Sequence, residues 1–220
     1  MKNKEEITVL FDLDGTLIDS TEAILASFHF AFKDQNFNFT KGDEEIVKLI
    51  GYPLDYMFEN LGVEKNKVWD FVDSYKSNYK KISQQKTFLL KNALEAVKIA
   101  STFATLAIVT TKTTKYTLPL LKNFEILDYF DTIIGRQEVE NPKPHPEPIY
   151  KALENLNIIA SESVFMIGDT KLDLIAAKEA KISSVAVLCG YGKEKELSQY
   201  TNNICMDSLE AVKMVKNIHF

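Results

Sequence analysis

Two aspartates, Asp12 and Asp14, follow directly on an apolar run over residues 7–11. A continuous apolar run of this length is typical of a strand that is buried on both faces. Because side chains two positions apart leave a strand on the same side, we expect both carboxylates at its carboxyl end, where open α/β sheets bind ligands. Two such charges about 4 Å apart repel each other by about 4 kcal/mol at an effective dielectric of about 20. The pair therefore indicates either a divalent cation between the two groups or a proton on one of them.

The composition is that of an ordinary globular protein, with 45% hydrophobic and 26% charged residues in a chain of 220. No apolar run approaches the ~18 residues that span a bilayer, and the first strand begins too early for a signal peptide. The net charge of -5 is spread along the chain, so we expect no nucleic-acid partner and no membrane partner. The only cysteines, Cys189 and Cys205, favour a reducing, cytoplasmic location over a disulfide framework.

Short apolar runs alternate with helical patterns in the second half of the chain. This alternation is typical of a parallel sheet with helices on both faces. The predicted strands span residues 7–12, 104–109, 131–134, 163–167 and 184–188. The predicted helices span residues 92–101, 113–122, 146–156, 171–181 and 207–217. The sequence thus predicts an α/β fold with a Rossmann-like, three-layer core.

The stretch over residues 21–86 has helical periodicity almost throughout and contains no predicted strand. We interpret it as a helical cap inserted after the first strand, with hinges near residues 18–20 and 83–89. The corresponding division is a core of residues 1–19 and 87–220 and a helical-bundle cap of residues 20–86. The alternative is a single irregular domain whose extra helices pack rigidly on the core.

Three further motifs stand at the ends of predicted strands or at the start of a helix, and each carries polar or charged side chains. They are Thr110-Thr111-Lys112, Lys143 within NPKPHPEP, and Asp169 with Asp173 within MIGDTKLD. Each motif alone is weak, because a turn or a helix cap would explain it equally well. The segment DLDGT at 12–16, taken alone, could begin a calcium loop, but Leu17 and Ala23 stand where such a loop needs glycine and glutamate. The joint occurrence of the motifs at one edge of a sheet is what points to a site.

The segments DLDGT, VTTK, NPKPHPEP and MIGDTKLD, in this order, resemble the four signature motifs of the haloacid dehalogenase superfamily. The helical insert after the first motif resembles that superfamily's first type of cap. The segment GYG at 190–192 is similar to the phosphoglycolate phosphatase-like branch. The resemblance covers essentially the whole chain and implies phosphoryl transfer on a small phosphorylated metabolite with Mg²⁺ as cofactor.

The resemblance also implies roles for the core motifs. Asp12 would attack phosphorus and become an aspartyl-phosphate, and Asp14 would act as general acid and then as general base. Thr110 would donate a hydrogen bond to a phosphoryl oxygen, and Lys143 would place a positive charge beside Asp12. The expected magnesium ligands are Asp12, the backbone carbonyl of Asp14, Asp169 and, directly or through water, Asp173.

Substrate contacts are expected from the motif loops and from the cap. Gly15 would let the backbone approach the phosphoryl group, and Thr16 would hold the tight turn and help to aim Asp14. Gly51 and Tyr52 resemble the cap loop that faces the core in related enzymes. The expected substrate-binding residues are Leu13, Gly15, Thr16, Thr111, Lys112, Gly51, Tyr52 and Lys76.

The carboxylate at Asp14 favours phosphatases and phosphomutases, since the dehalogenases of the superfamily lack it. Ile24 stands where a phosphomutase of this cap type carries histidine, so a monophosphatase is the preferred interpretation. Phosphoglycolate phosphatase and cytosolic pyrophosphatase remain open, because the cap has no arginine to clamp a carboxylate and only Lys76 or Lys80 could supply a charge. Arg136, the only arginine in the chain, is expected to be a solvated loop charge. A non-catalytic binding module is a further alternative, and the sequence leaves monomer or homodimer undecided.

Overall fold

A six-stranded parallel sheet runs through the middle of the molecule in the computed structural model, which describes residues 7–219. Its strands are β1 (Ile7–Phe11), β4 (Ala104–Val109), β5 (Thr132–Ile134), β6 (Val164–Gly168), β7 (Ser183–Val187) and β8 (Ile204–Cys205). Their order across the sheet is β5-β4-β1-β6-β7-β8.

The register of the central strands determines where the motifs meet. Phe11 at the end of β1 pairs with Ile108 of β4 on one side and with Ile167 of β6 on the other. The residues that follow these three positions therefore emerge at the same level of the sheet. That edge is the carboxyl end of the strands, where the sequence predicts the site.

Six α-helices in the described part of the core flank the sheet. They are α5 (Ala93–Ala100), α6 (Thr114–Asn123), α7 (Glu147–Leu156), α8 (Lys171–Glu179), α9 (Glu194–Leu197) and α10 (Ser208–His219). Alternate strand residues give the sheet two apolar faces: Val9 packs in the cluster that contains residues of α5, α6 and α10, whereas its neighbour Leu10 packs with residues of α7 and α8. The predicted α/β class with helices on both faces is confirmed. Within residues 7–219, no helix combines the length and the apolar character needed to cross a membrane.

Four helices fill the insert, and no strand lies between residues 21 and 86, all of which the structure describes. They are α1 (Thr21–Asp34), α2 (Asp43–Val47), α3 (Leu54–Asn60) and α4 (Val68–Ile82). Their apolar faces form a separate cluster built on aromatic rings. The ring of Phe28 lies 4.6 Å from that of Phe58 and 5.1 Å from that of Tyr75. We use the name cap for these four helices; their independent movement stays a prediction.

The two connections between the cap and the core run side by side. β2 (Ile18–Asp19) pairs antiparallel with β3 (Phe88–Leu89), so the chain leaves the core and returns to it at one place. The sequence predicts hinges at these positions but predicts neither short strand. It also misses β8 and α9, because elements of two to four residues are too short to display periodicity.

Two phenylalanines on one turn of α1 should differ sharply in their contribution to stability. Phe28 is fully buried in the aromatic cluster, whereas Phe30 is 37% exposed. We expect Phe28→Ala to lower the free energy of unfolding by about 3–5 kcal/mol and Phe30→Ala to change it by less than about 0.5 kcal/mol. Urea unfolding followed by circular dichroism measures both. Equal losses in the two variants would contradict a separate aromatic core in the cap.

Candidate active site

The first, second and fourth motifs meet at the carboxyl edge of the sheet. Asp12, which follows β1, donates its backbone N–H to Ile167 of β6 at 2.9 Å. Thr110, which follows β4, donates its backbone N–H to Ile134 of β5 at 2.9 Å. Asp169 follows β6 and is fully buried, and Asp12 and Thr110 are each only 4% exposed. The hydrogen bonds of the sheet thus hold these side chains in fixed positions rather than on free loops.

Lys143 is the cation of this edge, and it is almost completely buried. Its ammonium group donates to Asp12 at 2.8 Å, to Asp173 at 2.5 Å and to the carbonyl oxygen of Val109 at 2.9 Å. These three acceptors match the three protons of an ammonium group. A buried lysine is tolerated here because each of its protons has a partner and two of the partners are negatively charged.

The two carboxylates of the fourth motif are oriented by hydrogen bonds. Asp169 accepts one from the hydroxyl of Thr16 at 2.9 Å and one from the backbone N–H of Tyr191 at 2.8 Å. Asp173 accepts from the backbone N–H of Thr170 at 3.1 Å and from its hydroxyl at 2.8 Å, which caps the start of α8. One oxygen of Asp173 therefore accepts hydrogen bonds at the start of α8, and the other accepts one from Lys143.

Three buried carboxylates could hold a cation together. Oxygen atoms of Asp12, Asp169 and Asp173 all lie within 4.8 Å of one another. An all-oxygen donor set fits a hard divalent cation such as Mg²⁺. Space for the three carboxylates depends on Gly15, whose φ is +84°. A Cβ at this position would come within 2.3 Å of Asp169 Oδ2. A Cβ at Gly190 would come within 2.1 Å of the same oxygen.

Burial and mutual repulsion raise the pKa values of Asp12 and Asp169. Burial raises the pKa of Asp12 from its ordinary value of 3.8 to about 7, with Lys143 opposing the shift and Asp173 adding to it. Burial, together with the charges of Asp12 and Asp173, raises the pKa of Asp169 well above its ordinary range. For Lys143, burial lowers the pKa, but the two carboxylates outweigh it and the net pKa is raised. The single positive charge of Lys143 thus does not neutralise three carboxylates. A bound divalent cation would supply the missing positive charge.

Asp14 has a different set of partners. Its carboxylate lies 3.1 Å from the ammonium group of Lys112 and accepts a hydrogen bond from the hydroxyl of Ser20. Lys112 also donates to the phenol oxygen of Tyr79 at 2.8 Å, and its nitrogen stands 4.6 Å from the centre of that ring. The net pKa of Lys112 is raised, because Asp14 and Tyr79 outweigh the opposing effect of burial. Asp14 is therefore held by Lys112 of the second motif and by Ser20 in the connection to the cap. Tyr79 of the cap acts on Asp14 indirectly, through Lys112.

Sequence reasoning missed Ser20 and Tyr79 as part of this site. Ser20 ends the same stretch that contains Asp12 and Asp14, so its proximity in sequence was an available signal. Tyr79 fits the helical periodicity of α4, and that pattern explains its burial without indicating a polar partner. Only the approach of the cap to the core gives Tyr79 a polar partner.

A cavity of about 320 Å³ lies between the cap and the core, beside Asp14. Six of the predicted site residues line it: Asp14, Thr111, Lys112, Gly51, Tyr52 and Lys76. The other predicted substrate contacts have different surroundings. Leu13 is fully buried in the hydrophobic core, Thr16 is fully buried against Asp169, and Gly15 packs on the same aspartate. Side-chain contact of Leu13 or Thr16 with a substrate is thus not supported, and only the backbone of this loop could approach one.

Arg136 lies on this cavity, and the expectation that it is a solvated loop charge is wrong. It begins a short 3₁₀ helix, Arg136–Glu138, and its side chain is partly buried. One guanidinium nitrogen donates to the carbonyl oxygen of Val139 at 3.0 Å. The core therefore brings an arginine to the cavity that the cap itself lacks.

Replacement of Asp12 by asparagine should stabilise the metal-free protein. The pKa of Asp12 is higher in the folded chain than in the unfolded chain, so its ionisation lowers stability as the pH rises from about 4 to about 7. We expect Asp12→Asn to raise Tm in EDTA by at least about 2 °C at pH 8 and by less at pH 5. Exposed Asp128 provides the control, since Asp128→Asn should leave Tm unchanged at both pH values. An equal gain at pH 5 and pH 8 would contradict the titration of Asp12.

Comparison with known proteins places this geometry in a family. Residues 9–187 match the pattern of the haloacid dehalogenase-like hydrolases. A phosphoglycolate phosphatase from Pectobacterium atrosepticum is 35% identical, over 86% of this chain and 84% of its own, and a pyrophosphatase from Halalkalibacterium halodurans is 32% identical, over 92% and 93%. The structure of a haloacid dehalogenase-like family hydrolase from Streptococcus pneumoniae superimposes with a TM-score of 0.85 at 30% identity, over 95% of this chain and 98% of its own. The resemblance that the four motifs suggest is confirmed, and this chain belongs to the haloacid dehalogenase-like hydrolase family.

Proposed function

We propose that this protein is a Mg²⁺-dependent phosphatase that hydrolyses a small phosphomonoester through a phosphorylated Asp12. The observation that carries the proposal is the division of partners at the sheet edge. Asp12 lies against Lys143 at 2.8 Å, whereas Asp14 lies 3.1 Å from Lys112 and faces the cavity. The two carboxylates at the end of β1 thus pair with different lysines, which supports different roles for them in the reaction. The relatives that are named phosphatases support the same reaction class.

Asp12 is the proposed nucleophile. Its carboxylate would attack phosphorus and displace the alcohol, which divides one difficult hydrolysis into two displacements. Lys143 would offset the negative charge that the phosphoryl group brings beside Asp12. Thr110, whose hydroxyl accepts the backbone N–H of Lys112 at 3.1 Å, can donate its own proton to a phosphoryl oxygen.

Asp14 is the proposed general acid and base. Because Asp14 lines the cavity, a leaving group in the cavity would have its oxygen beside this carboxylate. Asp14 would protonate that oxygen and then take a proton from the water that attacks the phosphorylated Asp12. Lys112 and Ser20 each bind a different oxygen of Asp14, so the carboxylate is fixed in orientation.

Asp12 and Asp169, with the backbone carbonyl of Asp14, are the proposed ligands of Mg²⁺. One oxygen of Asp173 binds the ammonium group of Lys143 and the other caps α8, whereas the partners of Asp169 are an uncharged hydroxyl and a backbone N–H; we therefore assign Asp173 to the layer around the ligands. When bound, Mg²⁺ would neutralise charge on the phosphoryl oxygens and lower the repulsion among the acids.

Inorganic pyrophosphatase is the second candidate, because relatives of similar identity carry either name. A phosphomutase is less well supported. Ile24 occupies the position where the resemblance calls for histidine, and it is a buried, apolar part of the cavity wall. A purely binding function would not require the paired cations and the buried acids described above.

Phosphate release should depend on Asp12 and on a divalent cation. We expect the purified protein with Mg²⁺ to release phosphate from p-nitrophenyl phosphate. Excess EDTA should abolish that release, and Asp12→Asn should lower kcat by at least about a thousandfold, since the nucleophile is lost. Asp128→Asn is the matched control and should retain the wild-type rate. Release that persists in EDTA, or in Asp12→Asn, would overturn the mechanism.

Removal of the acid at Asp14 should affect poor leaving groups most. We expect Asp14→Asn to lower kcat by about 10²–10⁴-fold with ethyl phosphate, whose alkoxide needs a proton to depart. With p-nitrophenyl phosphate the phenolate departs without a proton, so phosphorylated enzyme should form and then persist. Acid-quench trapping of the phosphorylated protein measures this difference. Wild-type turnover on both esters would eliminate Asp14 as acid and base.

A further inference from the structure

We propose that the preferred substrate is a phosphomonoester of a ring-sized, largely apolar alcohol, rather than phosphoglycolate or pyrophosphate. The inference rests on the phosphatase function proposed above and concerns only the leaving group. It follows from the size, the wall and the charges of the cavity beside Asp14.

The cavity is larger than a two-carbon leaving group requires. Its volume of about 320 Å³ falls at the lower end of the ~300–1,000 Å³ typical of sites for small organic ligands. Glycolate or phosphate would leave most of this space to water, at about 30 Å³ for each molecule. A single ring with a short substituent fills the space more completely.

The wall of the cavity opposite the core is apolar. Ile24, Ile50, Met57 and Val72 line it, and each of them is at most 5% exposed. A carboxylate or a phosphate placed against these aliphatic groups would lose its water without gaining a hydrogen bond. Trp69 continues the wall and is 61% exposed, so its ring is available to pack on a substrate.

The cation that lies against Asp14 already has partners. Lys112 is held by Asp14 and Tyr79. Arg136 gives one guanidinium nitrogen to a backbone carbonyl, and Lys76 stands 6.0 Å from the centre of the Trp69 ring. Asp55 adds a negative charge to the same lining. Lys112 is thus not available to a second anionic group, and the charge of Asp55 disfavours one elsewhere on the lining.

Uncharged polar side chains of the lining are available to an uncharged substituent. Thr113 lines the cavity, and its buried hydroxyl has no hydrogen-bond partner among the described residues. Tyr75 lines the cavity as well, and burial raises the pKa of its phenol well above the ordinary range, so this group is uncharged. The chemistry of the cavity therefore suits a ring that carries an uncharged hydroxyl or carbonyl group.

Comparison of kcat/KM among four substrates tests the proposal: benzyl phosphate, ethyl phosphate, 2-phosphoglycolate and pyrophosphate, all with Mg²⁺. The three esters release alcohols, so differences among them report on the cavity rather than on the much greater acidity of a phenol. We expect benzyl phosphate to exceed each of the others by at least about tenfold. Equal or faster hydrolysis of 2-phosphoglycolate or pyrophosphate would overturn the inference and leave the phosphatase function intact. If no phosphate is released from any of the four substrates or from p-nitrophenyl phosphate, both the inferred leaving group and the proposed phosphatase function are overturned.

Two valines on α4 provide a matched pair of variants. Val72 and Val68 are one helical turn apart and each 1% exposed, but only Val72 lines the cavity. We expect Val72→Thr to lower the ratio of kcat/KM for benzyl phosphate to that for 2-phosphoglycolate by at least about threefold. Val68→Thr should leave this ratio unchanged, although both variants lose some stability.

A variant at the exposed end of the wall makes the test independent of folding. We expect Trp69→Ala to lower kcat/KM for benzyl phosphate by about fivefold or more and to leave that for ethyl phosphate unchanged. Phe30→Ala, which removes an exposed ring elsewhere on the cap, should alter neither value. An unchanged preference in both Trp69→Ala and Val72→Thr would show that the leaving group does not contact this wall.

Discussion

The ion pairs of Lys143 hold the catalytic edge of the sheet together. The parallel strands bring Asp12 and Asp169 to one level, and α8 adds Asp173, so three negative charges meet away from water. Buried charges are tolerated only when paired and hydrogen-bonded. Lys143 pairs with two of the three, and the remaining negative charge leaves the edge suited to a cation. The proline-framed segment that carries Lys143 is thus as necessary to the site as the acids themselves.

The two roles that we propose for one strand end rest on the different surroundings of its two aspartates. The sequence suggests that Asp12 and Asp14 repel each other and need a shared cation or a proton. The structure gives each of them a lysine of its own, at 2.8 Å from Asp12 and at 3.1 Å from Asp14. Different environments for neighbouring acids are the usual basis for dividing nucleophilic and proton-transfer roles. The spacing of the two aspartates in the sequence does not reveal that Lys112 pairs with Asp14.

Much of the core could be predicted, because its signals are local. Buried strands such as Ala104–Val109 appear as apolar runs, and their parallel register brings the motifs to one edge. The two-residue strands of the hinge and of β8 give no periodic signal, so they were missed. The contact of Tyr79 with Lys112, and the cavity that Arg136 lines, depend on how the cap approaches the core. Such distances between elements are not encoded in any short stretch of sequence.

The apolar cavity wall follows from how the cap is stabilised. Residues such as Met57 and Val72 belong to the aromatic and aliphatic cluster that holds the cap helices together, and the same residues face the cavity. Core packing therefore constrains which leaving groups the cavity can accept, because a polar wall would weaken the cap. Substrate preference can change at the lowest cost in stability where a wall residue contributes little to that cluster. Exposed Trp69 lies outside the cluster and meets this condition, so specificity can vary there while the catalytic edge stays fixed.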